Sequence, residues 1–135
     1  MGFRFLEHTA DALAECTGGS FEDLLKAAGQ ALYAVALERI PTGNDVVHDV
    51  ALEADGREEL LVRWLQELIY LLDVERFVAT DCVFQVATRD TLQATLRGTT
   101  WEPDDRRTEV KAATYHGLAV RESAEGFTAQ VLFDL

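Results

Sequence analysis

The run Val131-Leu132-Phe133-Asp134-Leu135 sets an aspartate one residue before a terminal carboxylate. Val131, Phe133 and Leu135 alternate with Leu132 and Asp134, the two-residue period of a strand with one face in a core. A terminal strand tied down in this way keeps its two anions close, and they repel unless a lysine, an arginine, a hard metal ion or solvent stands between them. Asp11 and Glu38 are further oxygen donors, and Lys111 is a possible counter-charge. Carboxylates, backbone oxygens and water are what Ca²⁺ and Mg²⁺ bind. The spacing of these residues along the chain leaves open whether they meet.

Each also has a plainer reading. Asp11, in "HTADA", fits a turn aspartate bonding its own backbone, the commoner role for that residue. His8, three residues earlier, fits a neutral imidazole satisfied by a nearby backbone group. Glu38 closes a predicted helix, where a carboxylate opposes the negative end of the helix dipole unless it is solvated or near a cation. Lys111, in "EVKAATYHGLAV", shares a strand face with Ala113 and Tyr115 and opposes Val110 and Ala112, which fits a snorkelling lysine as well as an aimed one. Tyr115 reads as packing, and His116-Gly117 as a hairpin turn. Trp101, in the loop "TTWEPDDRR", is either an exposed anchor for a partner or a ring packed on its own sheet.

Composition narrows the classes. With 135 residues, 48% hydrophobic and 27% charged, the chain reads as one ordinary globular domain. The net charge of -12 argues against strong direct nucleic-acid binding and favours solubility, cation binding or a basic protein partner. No apolar run approaches a membrane span, and "MGFRFLEHTA" has no secretory leader pattern, so the expectation is a cytoplasmic protein. Cys16 and Cys82 lie in no metal-ligand spacing and read as buried thiols without chemistry. Lys26 and Lys111 are the only lysines among twelve cationic residues. No phosphate loop, nucleophile elbow, paired-histidine zinc motif or dinucleotide turn is present, so an enzyme is not the first expectation.

These residues need a scaffold. Phe3 to Leu6 and Leu13 to Thr17 read as strands, with Gly18-Gly19 as the following turn. Ser20 is the predicted N-cap of a first helix, paired with Asp23 and carrying Phe21, Leu24, Leu25, Ala28, Leu32 and Val35 to about Glu38. Residues 46 to 54 alternate as a strand. A second helix is predicted to open with Asp55 as cap and Glu58 as its partner, and its broad apolar face of Leu60, Leu61, Trp64, Leu65, Leu68, Ile69 and Leu72 is the expected centre of the core. Beyond it the pattern predicts strands near 78–88, 91–98, 109–115, 117–122 and 127–134. The fold class expected is α+β, two helices packed on a largely antiparallel multi-stranded sheet.

Taken in order, "FLEHTADA", "SFEDLLKAAGQALYAV", "LLVRWLQELIYLLD", "TEVKAATYHGLAV" and "VLFDL" resemble the archease family over essentially the whole chain. The resemblance implies a small cytoplasmic, non-catalytic accessory protein. Its partner would be an RtcB-type RNA ligase of tRNA splicing, whose guanylylation and multiple turnover it promotes. It also implies a metal site to which Asp11, Asp134 and the backbone oxygens of Leu135 contribute, with the metal Ca²⁺ or Mg²⁺. Glu38 and Lys111 would be residues of ligase activation. The chain departs from the family pattern at Ala12, where a branched aliphatic is usual, at Leu135, in place of isoleucine, and at Glu38, where some relatives carry aspartate. By this resemblance Asp11 is expected to meet the C-terminal carboxylates around a divalent cation. Two other classes fit the same carboxylates less well: a small metal-dependent hydrolase, and a general chaperone-like module for RNA-processing enzymes.

Overall fold

A computed structural model describes residues 2–6, 11–114 and 119–135. His8, Tyr115 and His116-Gly117 lie outside the described residues. Strands β1 (Gly2–Leu6) and β2 (Ala12–Gly18) precede helix α1 (Phe21–Ala36), and β3 (Val46–Glu53) precedes helix α2 (Arg57–Val74). Strands β4 (Phe77–Ala87), β5 (Thr91–Thr100), β6 (Ala112–Thr114), β7 (Val120–Ser123) and β8 (Gly126–Asp134) follow, with a 3-10 turn at Pro103–Asp105. The fold is α+β, as the alternation of apolar residues predicts. The strands divide into two antiparallel sheets: a five-stranded one ordered β1-β2-β8-β6 with β7 also on β8, and a three-stranded one ordered β3-β5-β4.

Ser20 caps α1 through its side chain, which accepts from the Asp23 N–H at 3.1 Å. The helix ends two residues earlier than its apolar spacing suggests. Leu37 is already extended and forms a bridge with Arg106, and the Glu38 N–H donates to the Asp105 carbonyl at 2.7 Å. The pairing with a distant segment overrides the local propensity for another half turn.

The start of α2 also differs. Gly56, at φ 103°, is its N-cap in place of Asp55. Glu59, at the third helical position, reaches back to accept from the Asp55 N–H at 2.8 Å. That bond, with the bond from Arg63, holds the Glu59 carboxyl below its ordinary value. Glu58, expected to be the capping partner, accepts instead from the Val120 N–H of β7 at 2.9 Å.

Ala14, Cys16, Ala129, Val131 and Phe133 from the first sheet are buried with Leu24, Leu25, Ala28 and Leu32 of α1. Trp64 is fully buried on α2, and its indole N–H donates to the Leu25 carbonyl of α1 at 2.9 Å. That one bond contributes about 0.5–1.5 kcal/mol. Val50, Leu92, Ala94 and Leu96 turn the second sheet into the same core. Burial pushes the Cys16 thiol up to about 12 and, as the larger of its causes, the Cys82 thiol up to about 11, so both are protonated at neutral pH. Among the described residues no helix is long and apolar enough to cross a membrane.

Gly98 on β5 faces Ala79 on β4, beside a bulge in that pairing. A Cβ there would overlap the Val78 carbonyl. Gly98→Ala must therefore push β4 from β5, and we expect a loss of about 3 kcal/mol or more in urea unfolding. An unchanged midpoint would mean that the two strands have room to part.

Candidate functional site

Strand β8 brings the candidate residues together. It pairs with β2 along its length, with Ala12 opposite Phe133. The β2 ladder ends at that pair, and Asp11 and Asp134 each lie one residue beyond it. On its other edge, β8 pairs with β6 at Ala112–Asp134, and the Lys111 N–H donates to the Asp134 carbonyl at 2.8 Å. Asp11, Asp134, Leu135 and Lys111 thus share one end of the five-stranded sheet. Asp134 is exposed, and Asp11 and Leu135 are half-buried.

A cleft of about 370 Å³ opens at this end, lined among others by Asp11, Ala12, Leu135, Arg107 and Thr108. Arg107 enters because the segment after the 3-10 turn is tied to the end of α1. The N–H groups of Arg107 and Thr108 donate to the Ala36 carbonyl at 2.9 and 3.2 Å, satisfying a carbonyl that the helix leaves without a partner. The Arg107 guanidinium donates to Glu38 at 3.1 Å. Glu38 therefore reaches the cleft through Arg107, and its position against the negative helix end is offset by that guanidinium.

One expectation changes, and one left open is settled. The strict alternation around Lys111 does not hold: Val110 and Ala113 are both buried, and Lys111 is exposed and precedes the strand. The chain is not yet in the ladder at that point, so period two does not apply. Trp101 is packed, 7% exposed, with its indole N–H donating to the Leu72 carbonyl at 2.7 Å. Sequence reasoning missed Arg107. The only local signal was the Arg106-Arg107 pair in a loop noted for its tryptophan, in a chain that is otherwise strongly acidic.

As a cation site, this end offers hard donors: two carboxylates and the backbone oxygens of Leu135. Among the described residues no three His, Cys, Asp or Glu side chains form a metal-binding group. The donor chemistry fits Ca²⁺ or Mg²⁺ with water completing the shell, and not a metal preferring nitrogen or sulfur.

The model of the archease protein family (MTH1598/TM1083) matches residues 3–135. The chain is 34% identical to protein archease of Archaeoglobus fulgidus, with both chains covered in full. It is 29% identical to protein archease of Methanosarcina acetivorans, over 98% of this chain and 95% of that one. The solution structure of Methanobacterium thermoautotrophicum protein 1598 matches with a TM-score of 0.70 at 27% identity, over 99% of each chain. A Thermotoga maritima crystal structure, described as an archease and possible chaperone, shares the fold with a TM-score of 0.69 at 23% identity, over 96% and 94% of the two chains.

The Glu38 and Arg107 side chains are 66% and 53% exposed, so their ion pair is screened by water. Glu38→Gln and Lys111→Ala are each expected to shift stability by less than about 0.5 kcal/mol. A large drop in melting temperature for either would make that residue part of the scaffold.

Proposed function

The chain belongs to the archease family, and from that premise we propose that it is a cytoplasmic, metal-binding accessory protein that activates an RtcB-type RNA ligase in tRNA splicing. The observation that supports this reading most is the place of β8, which pairs Phe133 with Ala12, one residue short of Asp134 and Asp11, on one edge and has its Asp134 carbonyl bonded to the Lys111 N–H on the other. Asp11, Asp134 and the backbone oxygens of Leu135 would hold a Ca²⁺ or Mg²⁺, whose charge offsets the carboxylate repulsion. The exposed Asp134, Glu38 and Lys111 then present a mixed-charge tip to the ligase. With a net charge of -12, the protein would be steered toward a basic active-site cleft. There the tip promotes guanylylation and release for the next cycle without performing the chemistry itself.

The test is multiple-turnover RNA joining by the same organism's ligase, with wild type, Asp134→Ala and Lys111→Ala. Activation by wild type and loss in both variants is expected, with melting temperature unchanged for Lys111→Ala. Equal activation by all three would keep the partner and discard the site. Turnover without any ligase would point to a metal-dependent hydrolase using the same carboxylates, and activation of unrelated RNA-processing enzymes to a general chaperone-like module.

Calcium should raise the melting temperature of wild type, by the equivalent of about 2.7 kcal/mol at roughly a hundredfold excess over Kd. Residues appended after Leu135 should reduce that shift. Equal shifts in both proteins would remove Leu135 from the metal site.

A further inference from the structure

Beside the 3-10 turn lies an open groove of about 690 Å³ in which three arginines, Arg76, Arg106 and Arg107, outnumber two carboxylates, Asp73 and Glu109. This reverses the sign of a chain whose net charge is -12. The Arg76 and Arg106 guanidiniums sit 5.3 and 4.9 Å from the Trp101 ring centroid. The fold accounts for two of the three arginines. Arg106 bonds Asp73 at 3.1 Å and the Thr108 carbonyl at 3.1 Å, and Arg107 bonds Glu38 at 3.1 Å.

Arg76 is different. It is exposed, and among the described residues its guanidinium has the Trp101 ring as its contact and no ion pair. Its φ is 54°, the only positive value among the described non-glycine residues. It stands one residue beyond the C-cap of α2, where glycine is favoured. Its structural duty there, accepting from the Trp101 N–H at 3.0 Å, belongs to its backbone, and a glycine would serve it with less strain. What arginine adds is the guanidinium, held over a ring at the groove. Strain of this kind points from the outlier to a function.

We propose that this groove docks an acidic segment of a partner protein, with Arg76 as its main anchor. A guanidinium resting on an aromatic ring keeps its N–H fork for a carboxylate, which it binds through two parallel bonds. A nucleic-acid strand fits less well. Trp101 is only 7% exposed and offers no stacking platform, and a strand leaving the groove would cross an acidic surface. A short acidic segment feels the arginines first, because other charges are screened over about 8 Å at physiological salt. The inference takes from the proposed function only that the partner is a protein.

The probe is a labelled peptide of alternating glutamate and glycine, followed by anisotropy, with a uridine oligonucleotide and inorganic phosphate as rivals. Wild type should bind the peptide, and Arg76→Gly should bind it roughly tenfold more weakly. Arg76→Glu should abolish binding, while Arg121→Glu, the same charge change outside the groove, should leave it unchanged. Arg76→Gly should melt at or above the wild-type temperature, so its lost binding is not lost folding. Equal binding by all variants, no binding by wild type, or preference for the oligonucleotide or phosphate would overturn the proposal. Peptide binding of the expected pattern without ligase activation would leave the groove standing and remove the proposed function. Ligase activation alongside peptide binding indifferent to Arg76→Glu would do the reverse.

Discussion

The structure depends on β8 being an inner strand. Its backbone is bonded on one edge to β2, and on the other to β6 and β7 in turn, so its polar groups are satisfied within the sheet. Val131 and Phe133 are fully buried against α1, each contributing roughly 1.5–3 kcal/mol by leaving water. A segment held on both edges and one face does not fray. The same ladder sets Asp11, Lys111 and Asp134 at one end, so the arrangement of candidate residues is a consequence of how the sheet is closed.

A second constraint comes from the segment 101–108, which completes the ends of both helices. Neither α1 nor α2 carries a basic residue in its last turn. The loop supplies what is missing. Its N–H groups bond Ala36 at the end of α1, Trp101 bonds Leu72 near the end of α2, and Arg106 pairs with Asp73 in the same turn. Asp105, buried to 7% exposure, holds the loop's own shape by accepting from the Glu102 N–H at 2.9 Å. Positive charge brought to two helix C-termini favours both dipoles. It also explains why arginines gather at this end of an acidic protein. Arg107 joins this capping network to the cleft that holds Asp11 and Leu135.

The residues that join the elements are few and specific. Trp64 fastens α2 to α1 through one buried bond. Gly29 lets the helices approach, since a Cβ there would lie 3.1 Å from Leu68. Arg57 lies over the Phe21 and Phe127 rings, at 5.7 and 5.1 Å from their centroids, and pairs with Glu122 at 3.6 Å. It thus links the start of α2 to α1, β7 and β8.

Much of this was legible in the chain alone. The helical spacing of Leu24, Leu25, Ala28 and Leu32, the alternation along residues 127–134 and the Ser20 cap are local signals, carried by neighbours within a turn or a pleat. They determined the number and type of elements, the α+β class and most of the core. What only the tertiary structure decided are the features with partners far along the chain. Glu38 leaves α1 because Asp105 takes its N–H; Gly56, not Asp55, starts α2; Trp101 is packed, not offered; and Lys111 lies outside its strand. Arg107, 69 residues from Glu38, had no local pattern to announce it. A sequence records periodicity directly, because one residue's geometry constrains the next. It records a long-range hydrogen bond or ion pair only once the sheet has closed and brought the two groups together.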